Sequence, residues 1–326
     1  MEIIAGDIGG TKSWLAWVST AGLSITQVRF EHVYASADFA SAEDLLKRFM
    51  ADAHAPTPDA VCLALPGPVS HNKPIRLTNL DWTLHKASLQ AQINTPYLLF
   101  INDFQAAAEG VASLTPAEYI ELNPQPQMED GVRVITGPGT GLGLAWMQPD
   151  SKGRYHTFAT EGGHTDFAPA NAQQERLLTF MRERFSHVSW ERVLSGPGVN
   201  SLYQFCLQDM TGEIPEHLRN TNGAVVNTQA QAGDPIASAT MQLFADIYAN
   251  WVGNIALLYQ PRGGLYLGGG VSALIKPWLQ AERFLQGCFD KGRMAGLVQQ
   301  MPIYLITNTR LGLQGALMAA INHHTD

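Results

Sequence analysis

Acidic side chains, one histidine and three glycine-rich turns carry the chemistry that this chain could do. Asp103 follows the apolar run Tyr97-Leu98-Leu99-Phe100-Ile101 and stands beside Asn102. A carboxylate at the end of a buried strand can take the proton of a substrate hydroxyl. In the same place an Asp also serves as the N-cap of the helix expected over 104–111. Glu161-Gly162-Gly163-His164 has the Glu-x-x-His spacing of di-iron bundles, but two interior glycines spoil the helix that such a site needs. A loop presenting one carboxylate and one imidazole to a hydroxyl-rich ligand fits the string, and so does a structural turn. Glu191, ahead of Ser195-Gly196-Pro197-Gly198, reads by itself as an exposed helical carboxylate, and Thr78-Asn79 as an Asx-type turn.

The glycine turns suit anions. Gly6-Asp7-Ile8-Gly9-Gly10-Thr11 lies between two strand-like runs, where glycines and a small hydroxyl residue leave main-chain amides bare for a phosphate. Thr11-Lys12-Ser13 imitates the end of a P-loop. That motif, however, requires Gly before the Lys and a helix after it, whereas Trp14-Leu15-Ala16-Trp17-Val18 favours a hairpin. Lys12 reads as an exposed hairpin lysine or a phosphate contact. Thr136-Gly137-Pro138-Gly139-Thr140-Gly141-Leu142-Gly143 repeats the design of apolar strand, glycine turn and second strand, which hints at two related halves. Gly268-Gly269-Gly270-Val271-Ser272-Ala273 formally matches the dinucleotide fingerprint but lacks its acidic partner. A platform for a nucleotide base or ribose is the alternative.

These residues need elements to hold them. Apolar periodicity predicts a helix over 41–50, and the continuous run Ala60-Val61-Cys62-Leu63-Ala64-Leu65 a strand buried on both faces. A short helix is expected over 84–92 and a buried strand over 97–101. Strand ends of this kind gather ligand groups in open sheets. Further helices are expected over 175–185, 199–207 and 241–259, strands over 264–267 and 303–306, and a closing helix over 311–321. Residues 211–233 read as a polar, loop-rich insertion.

A chain of 326 residues with 45% hydrophobic content implies two domains. A net charge of −8 without a Lys/Arg cluster argues against nucleic acid as a partner. No apolar run reaches membrane-spanning length. The sequence opens on a strand pattern without a charged lead or apolar signal region, and Cys62, Cys206 and Cys288 are scattered in apolar surroundings. Buried reduced thiols and a cytoplasmic location are the expectation.

Taken together, the strings Gly6-Asp-Ile-Gly-Gly-Thr11, Leu77-Thr-Asn79, Asn102-Asp103-Phe104, Thr136 to Gly143, Glu161-Gly-Gly-His164, Glu191-Arg-Val-Leu-Ser-Gly-Pro-Gly198 and Gly268-Gly-Gly270 resemble the bacterial glucokinase family, in order and over essentially the whole chain. The resemblance implies an α/β, two-domain, actin-like (ribonuclease H-like) sugar kinase fold with a cleft. The small domain would span residues 1–107 with 302–326, and the large one 108–301. It implies transfer of the γ-phosphoryl of ATP to the 6-hydroxyl of D-glucose, with Asp103 as base. Asn79, Asn102, Asp103, Glu161, His164 and Glu191 would bind the sugar. Gly6, Asp7, Ile8, Gly9, Gly10 and Thr11 would cradle the ATP phosphates, with Asp7 near Mg²⁺ through water. Gly137, Gly139, Thr140 and Gly141 would form a second phosphate turn, and Gly268, Gly269 and Gly270 the adenosine side. A homodimer and a glycolytic role are implied as well.

Where many relatives carry Asn after Gly-Gly-Thr, this chain has Lys12, and it lacks the clustered-cysteine zinc motif of the related repressor–kinase group. A catalytically silent sugar sensor and an actin-like filament or chaperone ATPase are the rival classes. Among enzymes, mannose or fructose as acceptor and polyphosphate as donor are the alternatives.

Overall fold

The computed structural model describes residues 1–22, 24–70, 73–77 and 80–324. Two compact units emerge, Met1–Leu114 with Asn308–Asp326, and Thr115–Thr307. The expected boundary at 107/108 would cut the helix Asp103–Val111. Ending the large domain at 301 would remove the strand Ile303–Ile306 from the second unit's sheet. The closing strand and helix therefore belong to different units. An apolar strand pattern reveals that a segment is buried in a sheet, but not which sheet.

The first unit is built on β1 (Glu2–Ile8), β2 (Lys12–Ala21), β3 (Ser24–Ala35), β4 (Ala60–Leu65), a small hairpin of β5 (Ile75–Arg76) and β6 (Thr83–Leu84), and β7 (Tyr97–Asn102). The main sheet runs β3-β2-β1-β4-β7, with β1, β4 and β7 parallel. Side chains alternate between its two faces. Ile4, Ile8, Val61, Leu63 and Leu65 pack with Leu45, Leu46 and Phe49 of the helix Ala42–Ala53. On the opposite face, the small residues Ala5, Ala60, Cys62 and Ala64 meet Leu313, Ala316 and Ala320 of the helix Leu311–His324. Small side chains on both partners allow that helix a close approach.

In the second unit the sheet comprises β8 (Tyr119–Asn123), β9 (Arg133–Pro138), β10 (Leu142–Pro149), β11 (Tyr155–Thr160), β12 (Gly264–Leu267) and β13 (Ile303–Ile306). Its order is β11-β10-β9-β12-β13-β8, with β9, β12 and β13 parallel. Each sheet thus combines an antiparallel three-strand meander with two parallel strands beside its first member, the internal likeness that the two glycine turns suggested.

The helix Pro235–Tyr259 forms the spine of the second core. Asp234 caps it by accepting the Ala237 N–H at 2.7 Å, and Phe244, Ile247, Tyr248, Trp251 and Ile255 are buried along it. Residues 211–233 differ from the expected loop. They include the helix Gly223–Gln231, capped by Asn222 and turning Val226 and Ala230 inward. A short cap-to-cap helix with a weak apolar stripe is hard to tell from a polar loop by periodicity. All three cysteines are free and buried. Among the described residues no helix is long and apolar enough to cross a membrane.

Candidate active site

In the first unit the turn between β1 and β2 closes a hairpin whose last pair is Ile8 with Ser13, in agreement with the strand-to-strand reading. The carbonyls of Gly9, Thr11 and Lys12 accept internal bonds. Gly9 N–H donates to the Lys12 carbonyl at 2.9 Å, Ser36 Oγ donates to the Gly9 carbonyl at 2.7 Å, and Ser36 N–H reaches the Thr11 carbonyl at 3.1 Å. The amides of Gly10 and Thr11 are left without an acceptor among the described residues. Ile8 is core, so only its backbone is available to a ligand, and Gly6 lies within β1.

Asp7 points toward the first turn of the helix Leu311–His324. A Cβ placed on Gly312 would lie 2.6 Å from Asp7 Oδ2. Burial raises the Asp7 pKa above the ordinary carboxylate range, and the Lys12 charge opposes the rise. Lys12 is exposed at the start of β2, in agreement with the hairpin reading, and lies over the Trp14 ring, its Nζ 5.6 Å from the centroid. Arg310 also approaches this ring and pairs with Glu31, which accepts the Trp14 Nε1–H at 2.9 Å.

The end of β7 settles the capping question. Asn102, not Asp103, is the N-cap: its Oδ1 accepts the N–H groups of Phe104 at 2.9 Å and Gln105 at 3.1 Å. Its Nδ2 donates to the Gly67 carbonyl at 3.0 Å, so both ends of the amide are engaged. Asp103 is then the first helical residue, half-buried, with Oδ1 accepting its neighbour's N–H at 2.9 Å. Asn79 lies outside the described residues. In the same unit a cavity of about 800 Å³ is lined by residues including Ser36, Phe39, Arg76, Leu77, Asp81 and Trp82.

The second unit brings four of the recognised strings together. Glu161 precedes a single 3-10 turn, Gly162–His164, and Glu191 sits on the short helix Trp190–Val193. His164 stands between the two acids, its Nε2 3.8 Å from Glu161 Oε2 and its Nδ1 3.9 Å from Glu191 Oε1. Glu161 and His164 are more than half exposed, at 57% and 59%, whereas Glu191 is only 30% exposed. Three hydrogen-bonding groups thus converge on one accessible patch. Glu191 Oε2 also accepts the Leu142 N–H at 2.9 Å. That bond reaches the glycine turn between β9 and β10, where Gly139 N–H donates to Gly141 and the Gly139 carbonyl accepts from Gly196, both at 2.8 Å. The amides of Thr140 and Gly141 have no acceptor among the described residues. Gly268 N–H donates to the Thr136 carbonyl at 2.9 Å, and the backbones of Gly137 and Gly268 are in direct contact. Residues 268–270 therefore abut the turn and lead into the helix Gly270–Leu274.

The glucokinase family model matches residues 4–323. The chain belongs to the glucokinase family. It is 35% identical to a glucokinase of Nostoc punctiforme over 98% of both chains. Among solved structures, the crystal structure of glucokinase from an Antarctic psychrotroph is 28% identical, with a TM-score of 0.85, covering 98% of this chain and 99% of that one. A glucokinase from Streptomyces griseus of the ROK family, in complex with glucose and AMPPNP, shares the fold at 20% identity and a TM-score of 0.63, covering 99% and 100%. As a member of the glucokinase family this is an enzyme with the two-domain sugar-kinase fold.

Sequence reasoning missed three contributors in this family member. They are Gly312 against Asp7, the Leu142 N–H held by Glu191, and the Gly67 carbonyl under Asn102. Only Gly312 left a signal, as a glycine inside a helical pattern with Gly315 one turn on. Among the described residues, no group of three or more His, Cys, Asp or Glu could hold a metal ion.

Proposed function

We propose that this protein phosphorylates D-glucose, transferring the γ-phosphoryl group of Mg·ATP to the 6-hydroxyl and releasing glucose 6-phosphate and ADP. The observation that carries the reading is the Glu161–His164–Glu191 convergence beside a glycine turn with unpaired amides. Acceptors on both sides of one imidazole suit adjacent hydroxyls of a pyranose, and bare amides suit phosphate oxygens. Family membership, and the glucose and AMPPNP named for the Streptomyces griseus glucokinase, support the same pair of substrates.

In this reading Asp103 accepts the proton of the 6-hydroxyl as its oxygen bonds to phosphorus and the bond to the departing ADP breaks. Such base catalysis is typically worth about 10²–10⁴ in rate. Asn102 acts on Asp103 by starting its helix, and it adds, with Asn79, Glu161, His164 and Glu191, to sugar recognition. The turns at 9–11 and 139–141 hold phosphates, and residues 268–270 the adenosine. Mg²⁺ fits the residues present: Asp7 is an enclosed carboxylate, and among the described residues no cluster of three or more His, Cys, Asp or Glu could cage an ion, which matches one carried mainly by phosphates and water. When bound, it would neutralise phosphate charge. Entry of glucose into glycolysis, a cytoplasmic location and a homodimer complete the proposal.

The test is ADP release from Mg·ATP by purified protein with and without D-glucose, with product identification. Glucose-dependent ADP and glucose 6-phosphate are expected. Absence of both, with every hexose tried, would refute the assignment.

A further inference from the structure

The Glu191 carboxylate faces two ways. Oε1 lies toward His164, on the side read above as sugar-binding. Oε2 accepts the Leu142 N–H at 2.9 Å, at the residue that ends the glycine turn and opens β10. The fit is tight. A Cβ on Gly141 would overlap the carboxylate, lying 3.1 Å from Cδ, whereas a Cβ on Gly139, in the same turn, would meet nothing within 4 Å. The two glycines therefore have different reasons to be glycine. Gly139 leaves open space for a ligand to approach, and Gly141 leaves room for Glu191.

The remaining bonds fix Glu191 from behind. Its own carbonyl accepts the Ser195 hydroxyl at 2.8 Å, and Gly196 N–H donates to the Gly139 carbonyl at 2.8 Å. The segment 191–196 thus holds the turn at both ends, through a side chain at Leu142 and through backbone at Gly139. The exposed tip of the turn is Thr140.

From this geometry we infer that Glu191 is a strut of the nucleotide-phosphate turn as well as a sugar ligand, and that Gly141 is the positioning residue that seats it. The inference rests on the reading of the acidic cluster as a hexose site and of residues 139–141 as a phosphate turn. One carboxylate is then shared by two ligands. Whatever fixes its free oxygen also fixes the turn, so glucose and nucleotide strengthen each other's binding through Glu191.

Calorimetry on the full-length protein tests this, with Mg·AMPPNP as one probe and D-glucose as the other. Without sugar, Glu191→Ala is expected to weaken Mg·AMPPNP about tenfold, because the Leu142 amide loses a charge-assisted partner. Glu191→Gln, whose amide oxygen can still accept that N–H, is expected to stay within about twofold of wild type for the nucleotide while losing glucose affinity. Without nucleotide, Gly141→Ala is expected to weaken glucose about tenfold, and Gly139→Ala less than about twofold. Thermal melts of each variant separate loss of fold from loss of binding, and Glu191→Gln answers the question if Gly141→Ala does not fold. Equal Mg·AMPPNP affinity for Glu191→Ala and wild type, at equal melting temperature, would overturn the inference. So would equal glucose affinity for Gly141→Ala and Gly139→Ala. A wild-type protein that binds Mg·AMPPNP but no glucose would instead overturn the functional reading.

Discussion

The carboxylate of Asp7 and the backbone of Gly312 are packed so closely that a methyl group on Gly312 would fall 2.6 Å from Oδ2 and 3.0 Å from Cγ. Gly312 is in the first turn of the helix Leu311–His324, where Gly→Ala would ordinarily favour the helix by up to about 1 kcal/mol. Here the added methyl must push Asp7 aside. Gly312→Ala is expected to leave the melting temperature within a few degrees of wild type while lowering kcat about tenfold or more. Steady-state kinetics beside a thermal melt would check this. A variant that keeps full turnover would show that the Asp7 position does not matter.

Asp7 itself should trade stability for activity. Its pKa is raised by burial, with Lys12 pulling the other way, so folding disfavours the charged form. Above its raised pKa the charge costs the folded state stability, and the cost fades as pH falls toward the ordinary carboxylate range. Asp7→Asn removes the charge at every pH. The variant is expected to unfold at the same or a higher denaturant concentration than wild type at pH 8, with the gap closing toward pH 4, while turnover falls by orders of magnitude. Lower stability of Asp7→Asn at pH 8 would contradict the desolvation argument.

Asn102 is a structural support for Asp103. Its side chain satisfies two helix amides and one carbonyl, at 2.9, 3.1 and 3.0 Å. Loss of an N-cap typically costs about 1 kcal/mol. Asn102→Ala should therefore lower stability by about that much or more, since the Gly67 carbonyl also loses its donor. Asn102→Asp keeps the cap acceptor and should recover most of the loss. Urea unfolding of the three proteins distinguishes them, and equal stability for the Ala variant would remove Asn102 from this role.

Much of the framework was readable because local signals agreed with the fold. The run 60–65 is a strand buried on both faces, and the glycine turn after Ile8 is a hairpin because the residues after it are β-branched and aromatic. Residues 264–267, 303–306 and 311–321 read correctly for the same reason. β8 escaped notice because Glu121 interrupts it and prolines follow closely, so its apolar residues resembled a loop. The relation of Glu191 to Leu142 spans 49 residues and depends on how two turns pack. Nothing in the periodicity of either segment encodes it. Position in the sequence points to Asp103 as the cap of a helix starting at 104, whereas Asn102 is the cap, since a one-residue shift in where the helix starts exchanges the two roles.

Thr136 offers a last test, of how the second glycine turn is held. This residue is fully buried in β9, donates to the Gly143 carbonyl at 2.7 Å, and accepts the Trp251 Nε1–H at 3.0 Å. It ties the hairpin that carries residues 139–141 to the central helix Pro235–Tyr259. Thr136→Val keeps the shape but leaves a buried indole N–H and a carbonyl short of a partner, which costs about 1–3 kcal/mol. Thr136→Ser keeps the hydroxyl and loses only a methyl group, about 1 kcal/mol or less if the site relaxes. Denaturant unfolding should therefore rank wild type above Ser and Ser above Val, and the KM for ATP should rise more for Val than for Ser. The reverse order would mean that packing of the methyl, rather than the hydrogen bond to Trp251, anchors the hairpin.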